Sequence, residues 1–491
     1  MLKIIISKRA LLKYTCLVFA SLVIGCGGGG ENNKSDKVLD EVYIVSVAIP
    51  NLNSLFLTGG TLFSIKNESG QTVAAAGFPR TWNTYCQNTL NQLQFYVTNP
   101  LSPIKFETIK KPDLTFRSGY GITNEDGIFA WDMAIDQFYK LNPKIGENSF
   151  QASNFFPCDV DEFKSGDYTF KYEYSDTQNT RVLACNNKSG ICDIAEIAPS
   201  TIVYTFASSG NSVLAISNWG DILRFTKKGG VDAGWVRAVK VGTKFTFPSL
   251  NLGPPIISST GIQFYSSIDY NGKTLLGEYP NGALFEYNGS EIIPWAGDRP
   301  VSTRPYRSEA QSMAIYCGDL YVGYWPRGEL WRLSDGVWNE VKRMFSHPSG
   351  EIPFEPYEDR PNNPFVSNFY GQRITALSNF DKSMYAFTSN KKNWFSYIDF
   401  SGTLTPDQAD EYGAIHKITK DSCSTGWLPN LSGKQVLRFE ITKSMMIVSL
   451  GNKKILSVEN TSGIVPSAKD AIVIGEGVFG ASNKSLFSIS K

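Results

Sequence analysis

Histidine is nearly absent from this chain of 491 residues, where only His347 and His416 occur. A three-histidine metal site is therefore excluded, and His347, followed by Pro348, reads as a surface turn residue. There is no Cys-x-x-Cys pair, which removes both a redox dithiol and a zinc knuckle. No Gly-x-Ser-x-Gly elbow places a nucleophilic serine, and no Walker or dinucleotide glycine motif stands between a strand and a helix. Asp159, Asp161 and Glu162 lack the spacing of a calcium loop and read as a solvated acidic turn. Neither a metal nor a cofactor is expected. Charge of one sign is also missing: 47 Lys plus Arg face 46 Asp plus Glu. Nothing in that balance suits the phosphate neutralisation on which nucleic-acid binding depends. Helical periodicity with caps is lacking too, the best candidate being a short helix within Asp132 to Leu141.

What is present begins at the N-terminus. Lys3, Lys8, Arg9 and Lys13 precede an uncharged run from Tyr14 to Gly25, the basic-then-apolar order of an export signal. The run is shorter than the roughly 20 residues needed to span a bilayer core, so cleavage after export is expected. Its exit, Leu22, Val23, Ile24, Gly25, Cys26, resembles the bacterial lipobox. That resemblance implies a diacylglycerol on the Cys26 thiol, cleavage just before it and acylation of the new amino group. Two or three chains, at about 0.8 kcal/mol per buried CH2, anchor far more firmly than one. The expected organisation is a signal peptide over 1–25, a flexible Gly and polar tether over 26–41, and one domain over 42–491. Gly27 stands where lipoproteins retained in the inner membrane usually show Asp, so the resemblance implies a cell-envelope protein of the outer membrane, with the bilayer as a partner through Cys26.

Six cysteines remain beyond Cys26, an even number in an exported chain. Cys185 and Cys192 flank the turn-forming run Asn186 to Gly190, which predicts a disulfide closing a hairpin. Cys86, Cys158, Cys317 and Cys423 allow three pairings.

Aromatics at 13%, with 43 Gly and 24 Pro, favour many short strands and many turns. Two segments 46 residues apart share a pattern: Gly272, Gly277, Pro280, Gly282 and Leu284 match Gly318, Gly323, Pro326, Gly328 and Leu330. Each then reaches another turn, at Asn288 and Gly289 or Asp335 and Gly336, followed by Trp295 or Trp338. Weaker echoes lie around Gly59 and Gly60, Gly220, Asn390 and Gly451, and near the C-terminus from Val473 to Ile489. A unit of a few strands recurring at such intervals points to an all-β fold, a β-propeller of antiparallel meander blades, with seven blades or six with longer insertions. Two β-sandwiches are the competing architecture.

Two insertions concentrate Arg, Pro and aromatics. The first holds Trp295, Arg304, Tyr306, Arg307 and Glu309, and the second Tyr370 and Arg373; Trp325 and Arg327 lie in the repeat between them. Arg offers planar paired donors, and Trp or Tyr a flat apolar face for a sugar ring. These nine residues are the expected ligand contacts. Tandem blades with Trp-bearing turns over residues 211–400 are similar to kelch-type or sialidase-like propellers of bacterial surfaces. Ser334, Asp335, Gly336 and Trp338 depart from the spacing of a sialidase Asp-box, so the resemblance carries no catalytic role over. The expected function is binding of a glycan or an envelope partner through the Arg and aromatic loops. The alternative is a glycoside hydrolase or polysaccharide lyase acting on an acidic glycan.

Overall fold

The computed structural model describes residues 42–49, 60–78, 81–83, 92–97, 103–109, 111, 120–124, 126–132, 135, 137–142, 149–154, 162–199, 201–209, 212–217, 222–227, 234–237, 263–279, 282–296, 308–347, 371–390, 404–427, 435–467, 470–474 and 488–489. The fold is an all-β propeller, and six sheets among these residues are antiparallel and of the blade type, five of them four-stranded and one five-stranded. In chain order their first strands are Tyr120–Asn124, Phe163–Ser165, Val203–Ser209, Gln263–Tyr270, Glu309–Tyr316 and Gln372–Phe380. Shared apolar cores join the second sheet to the third, the third to the fourth, the fourth to the fifth, the fifth to the sixth and the sixth to the first. Asp132 to Leu141 is not helical: it carries the end of the strand Gly127–Asp132 and most of the strand Gln137–Asn142. Phe129, Ala130 and Phe138 there are buried, because alternation toward a shared sheet face outweighs a weak helical pattern. One short helix is described, Pro406–Asp410, capped by Thr405 and Gln408 in a capping box. No described helix is long and apolar enough to cross a membrane.

The matched glycines have two separate causes. Asn271 and Gly272, like Cys317 and Gly318, take positive φ at both central turn positions (49° and 77°; 53° and 79°). Those are the two-residue hairpin turns whose twist suits antiparallel strands. Gly277 and Gly323 instead lie where the next sheet comes close: a Cβ would run into the carbonyl oxygen of Ala310 or into the side chain of Ile374. The same junctions carry a repeated hydrogen bond. Thr205 Oγ1 donates to Phe264 O, Ser266 Oγ to Ala310 O and Ser312 Oγ to Ile374 O, each at 2.8 Å.

The sixth sheet is completed by a strand from the N-terminal side. Lys105–Ile109 pairs with Ile415–Thr419 and becomes the outer strand of the sixth sheet. As a result the strands before residue 105 and those after 420 meet. They form two five-stranded sheets, one built on Tyr43–Ile49 and Gln435–Ile441, the other on Gly60–Lys66, Thr72–Phe78, Gln92–Val97 and Cys423–Trp427. Their common core contains Val45, Val47, Phe63, Phe95, Leu437 and Val448. The echo around Gly60 and the start of the one from Val473 thus fall in neighbouring strands of one end sheet, since Gly60–Lys66 pairs with Ala471–Ile474, while Ser488–Ile489 pairs with Tyr43–Ile49 in the other.

Against the propeller the end sheets are fixed at the hairpin-turn end. Cys317 is disulfide-bonded to Cys423, and Tyr96 packs on the turn at Gly318. Tyr316 donates its hydroxyl to Lys382 O at 2.6 Å and accepts from Lys420 N at 2.9 Å. Cys185 and Cys192 are bonded across their hairpin as expected. Cys26, Cys86 and Cys158 lie outside the described residues. From the second end sheet a short strand, Thr81–Asn83, reaches into the ring and adds to the free edge of Gln263–Tyr270, where Thr81 faces Ile268. It also lies against the first strands of the third and fifth sheets, and Thr81 Oγ1 donates to Met313 O at 2.9 Å. This strand therefore lies along the inner strands of the third, fourth and fifth sheets.

His416 sits in the closing pair, 5% exposed, with Nδ1 3.2 Å from Thr108 Oγ1. Burial first, and then the charge of Lys342, push its imidazole down to about 4, against an opposing pull from Glu411. Above the ordinary imidazole value of about 6.5 neither state binds the proton, and the contribution to stability is complete. As pH falls from about 6.5 towards about 4 the unfolded chain takes up a proton that the folded ring refuses, so stability is lost across that window, by at most about 3 kcal/mol. His416→Asn is expected to flatten this part of the pH dependence in urea unfolding; an unchanged slope would refute the assignment.

Candidate functional site

The two ends of the ring differ. One carries the tight hairpin turns and the end sheets. At the other, the chain leaves the outer strand of one blade and re-enters at the first strand of the next, by the connections 238–262, 297–307 and 348–370, which lie outside the described residues.

A repeated backbone irregularity shapes the open end. The first strands of the third to sixth sheets each carry a register shift, between Val203 and Thr205, Phe264 and Ser266, Ala310 and Ser312, and Ile374 and Ala376. The extra residues are Tyr204, Tyr265, Gln311 and Thr375. Bulges of this kind re-aim a side chain and recur beside functional sites. The hydroxyl residue after three of the bulges makes the sheet-to-sheet bond described above, so each bulge is locked in place.

From these positions an aromatic run crosses three sheets. Tyr204 and Tyr265 have ring centroids 4.7 Å apart, Tyr265 and Tyr279 6.3 Å, and Tyr279 and Trp325 6.1 Å. Tyr204 and Tyr279 are half-buried, whereas Tyr265 and Trp325 are covered. Tyr265 donates its hydroxyl to Gln263 Oε1 at 2.8 Å. Burial first, then the nearby charge of Glu309, raises its phenol well above the usual range, so it remains protonated. Beside the run, Arg373 Nη2 meets Glu309 Oε2 at 3.1 Å, with side chains 6% and 0% exposed. This pair joins the first strands of the fifth and sixth sheets. Gln311 is 1% exposed, and its side-chain carbonyl oxygen has no hydrogen-bond partner among the described residues.

A second polar network flanks this pair. His347 Nδ1 is 2.9 Å from Glu411 Oε2, and its Nε2 is 2.9 Å from the Tyr412 hydroxyl. Gln372 Nε2 and Arg343 Nη2 both donate to His347 O at 2.7 Å. Burial raises the Glu411 carboxyl, but hydrogen bonds from His347 and Ser346 outweigh it, and the net direction is downward. His347 is therefore no surface turn residue: it is 4% exposed and pins the end of the fifth sheet to the segment after the helix.

Of the nine expected ligand contacts, Arg304, Tyr306, Arg307 and Tyr370 lie outside the described residues. Glu309, Trp325 and Arg373 belong to the cluster just built. Arg327 pairs with Glu329 at 3.6 Å and forms a bridge with Gln372, at its edge. Trp295, half-buried, packs edge-on against Tyr270, ring centroids 6.0 Å apart, on the outside of the apolar core between sheets. Tyr204, Gln263, Tyr265 and Tyr279 were not legible as contacts, because they sit inside strands; their one trace is a Tyr beside the bulged position in two successive sheets.

No protein-family model matches the chain, and no curated protein matches it. Among solved structures, it is similar to the extracellular domain of a putative one-component system from Bacteroides thetaiotaomicron, with a TM-score of 0.32 and 10% identity over 82% of this chain; it spans 46% of that one. A quinonprotein alcohol dehydrogenase-like protein from the same organism gives 0.27 and 10%, covering 89% of this chain and 95% of that one. The β-propeller domain of the Trilobed protease from Pyrococcus furiosus, which has an open velcro topology, gives 0.23 and 11%, covering 68% and 92%.

Breaking the Glu309–Arg373 pair from one side leaves a buried charge without its counter-ion, which typically costs about 3–5 kcal/mol. Arg373→Met is expected to destabilise by that order in urea unfolding, and the double variant Glu309→Leu with Arg373→Met by less. Simple additivity of the two single changes would show that the groups are not coupled.

Proposed function

We propose that this chain is an exported envelope protein, tethered to a bilayer through an acylated Cys26, whose propeller binds a glycan at the open end of the ring. The observation that carries the reading is the aromatic run from Tyr204 through Tyr265 and Tyr279 to Trp325, bordered by Glu309, Arg373 and Gln311. Half-buried tyrosine faces give the apolar side of a sugar ring a place to rest, and the amide and phenol groups beside them meet its hydroxyls. The lipobox-like segment ending at Cys26 supports the anchor, and the uncharged run before it supports export.

The detergent-solubilised full-length protein, offered to a glycan array, is expected to retain one class of oligosaccharide. Tyr204→Ala and Tyr279→Ala should each weaken that binding about tenfold, or about 1.4 kcal/mol, without shifting the unfolding midpoint. Retention of no glycan, together with specific capture of an envelope protein, would replace this reading with scaffolding. Mass spectrometry of the native product is expected to find lipid on Cys26 and no leader; a free Cys26 thiol would end the anchoring claim.

A further inference from the structure

We propose that Lys420 and Asp319 form a modification site, at which the lysine amine and the aspartate carboxyl condense into an amide bond that staples the fifth sheet to the segment leading into the end sheets.

The two groups come from separate parts of the chain. Asp319 opens the strand Asp319–Trp325, directly after the hairpin turn at Cys317 and Gly318. Lys420 follows the strand Ile415–Thr419, and its backbone is fixed on both sides: its N–H donates to the Tyr316 hydroxyl at 2.9 Å, and its carbonyl oxygen accepts from Cys423 N at 3.2 Å. Lys420 Nζ lies 3.9 Å from Asp319 Oδ2, with side chains 10% and 12% exposed. That spacing is too long for a hydrogen bond, and Oδ2 accepts none among the described residues. The charge of Asp319 acts on the buried phenols of Tyr96, Tyr270 and Tyr321, which share one apolar core with Cys317 and Cys423.

Burial drives both groups toward their neutral forms. It raises the Asp319 carboxyl against the pull of Lys420 and Arg332, and it lowers the Lys420 amine against the pull of Asp319. A free amine is a nucleophile and a protonated carboxyl can lose its hydroxyl as water, whereas ammonium and carboxylate do neither. Arg332 Nε stands 3.7 Å from the same Oδ2, placed to stabilise the negative charge that gathers on a carboxyl oxygen as the amine adds. In the step itself, Lys420 Nζ attacks Asp319 Cγ. The N–C bond forms, the C–OH bond breaks, and the departing hydroxyl takes one amine proton and leaves as water. No oxidant or reductant is needed. The new bond closes a loop from 319 to 420 beside the Cys317–Cys423 disulfide, and unlike that disulfide it withstands thiols.

Tryptic mapping of the full-length protein tests this directly. Both partners lie in cysteine-bearing peptides, 308–327 with Cys317 and 418–434 with Cys423, so the disulfides are first reduced and alkylated completely. The two peptides are expected to stay joined, with the mass of the pair less one water and no cleavage after Lys420, and fragmentation should place the junction on Asp319 and Lys420. Lys420→Arg keeps the positive charge but offers only a guanidinium that never deprotonates. In that variant the peptides are expected to separate, and the unfolding midpoint measured in reductant should fall below that of the unaltered protein, because the unfolded chain has lost a constraint. Recovery of 308–327 and 421–434 as separate peptides from the reduced, unaltered protein overturns the proposal, whether or not the variant folds. A joined pair that survives Lys420→Arg overturns it as well.

Discussion

Successive sheets hold together only if the last meets the first, and here the outermost strand of the last is five residues from the far side of the chain. Lys105–Ile109 completes the sixth sheet by pairing with Ile415–Thr419, and Ile109, Ile128, Phe387 and Ile415 then share one core across the seam. The architecture outside the ring follows from this. Because the closing strand comes from the N-terminal side, the segments before it and after its partner emerge together and pair with each other. The entropy of closing so long a loop grows only with the logarithm of its length, so a few buried residues suffice to offset it. The cost falls on the rate of folding instead, since these pairings cannot form until the chain is almost complete.

The parts of the fold that sequence made legible are those governed by local geometry. Asn271 and Gly272, or Cys317 and Gly318, announce a hairpin because only certain residues tolerate left-handed backbone at both turn positions. Cys185 and Cys192 could be paired for the same reason. Strand patterns at the two ends looked like further copies of the repeat because alternation records only that a strand has one buried face. It does not record which sheet supplies the cover. Met445–Leu450 and Lys453–Glu459 have a hairpin's turn and alternation, yet they pack in an end sheet rather than in the ring.

The candidate site divides along the same line. Glu309, Trp325 and Arg373 stood out because charged and aromatic residues near an insertion are conspicuous. Tyr204, Tyr265 and Gln311 did not, because a bulge is a disagreement between two strands' registers and has no signature in either strand alone. His347 was misjudged for a related reason. Its neighbour Pro348 describes the backbone, while its burial is imposed by Glu411, Tyr412 and Gln372 from elsewhere in the chain.

The strand Thr81–Asn83 couples an end sheet to the ring. It leaves one and completes the inner edge of the other, so neither can come away without stripping backbone partners from both. Loosening of either body should then loosen its neighbour, and the two should melt as one cooperative unit rather than in successive steps.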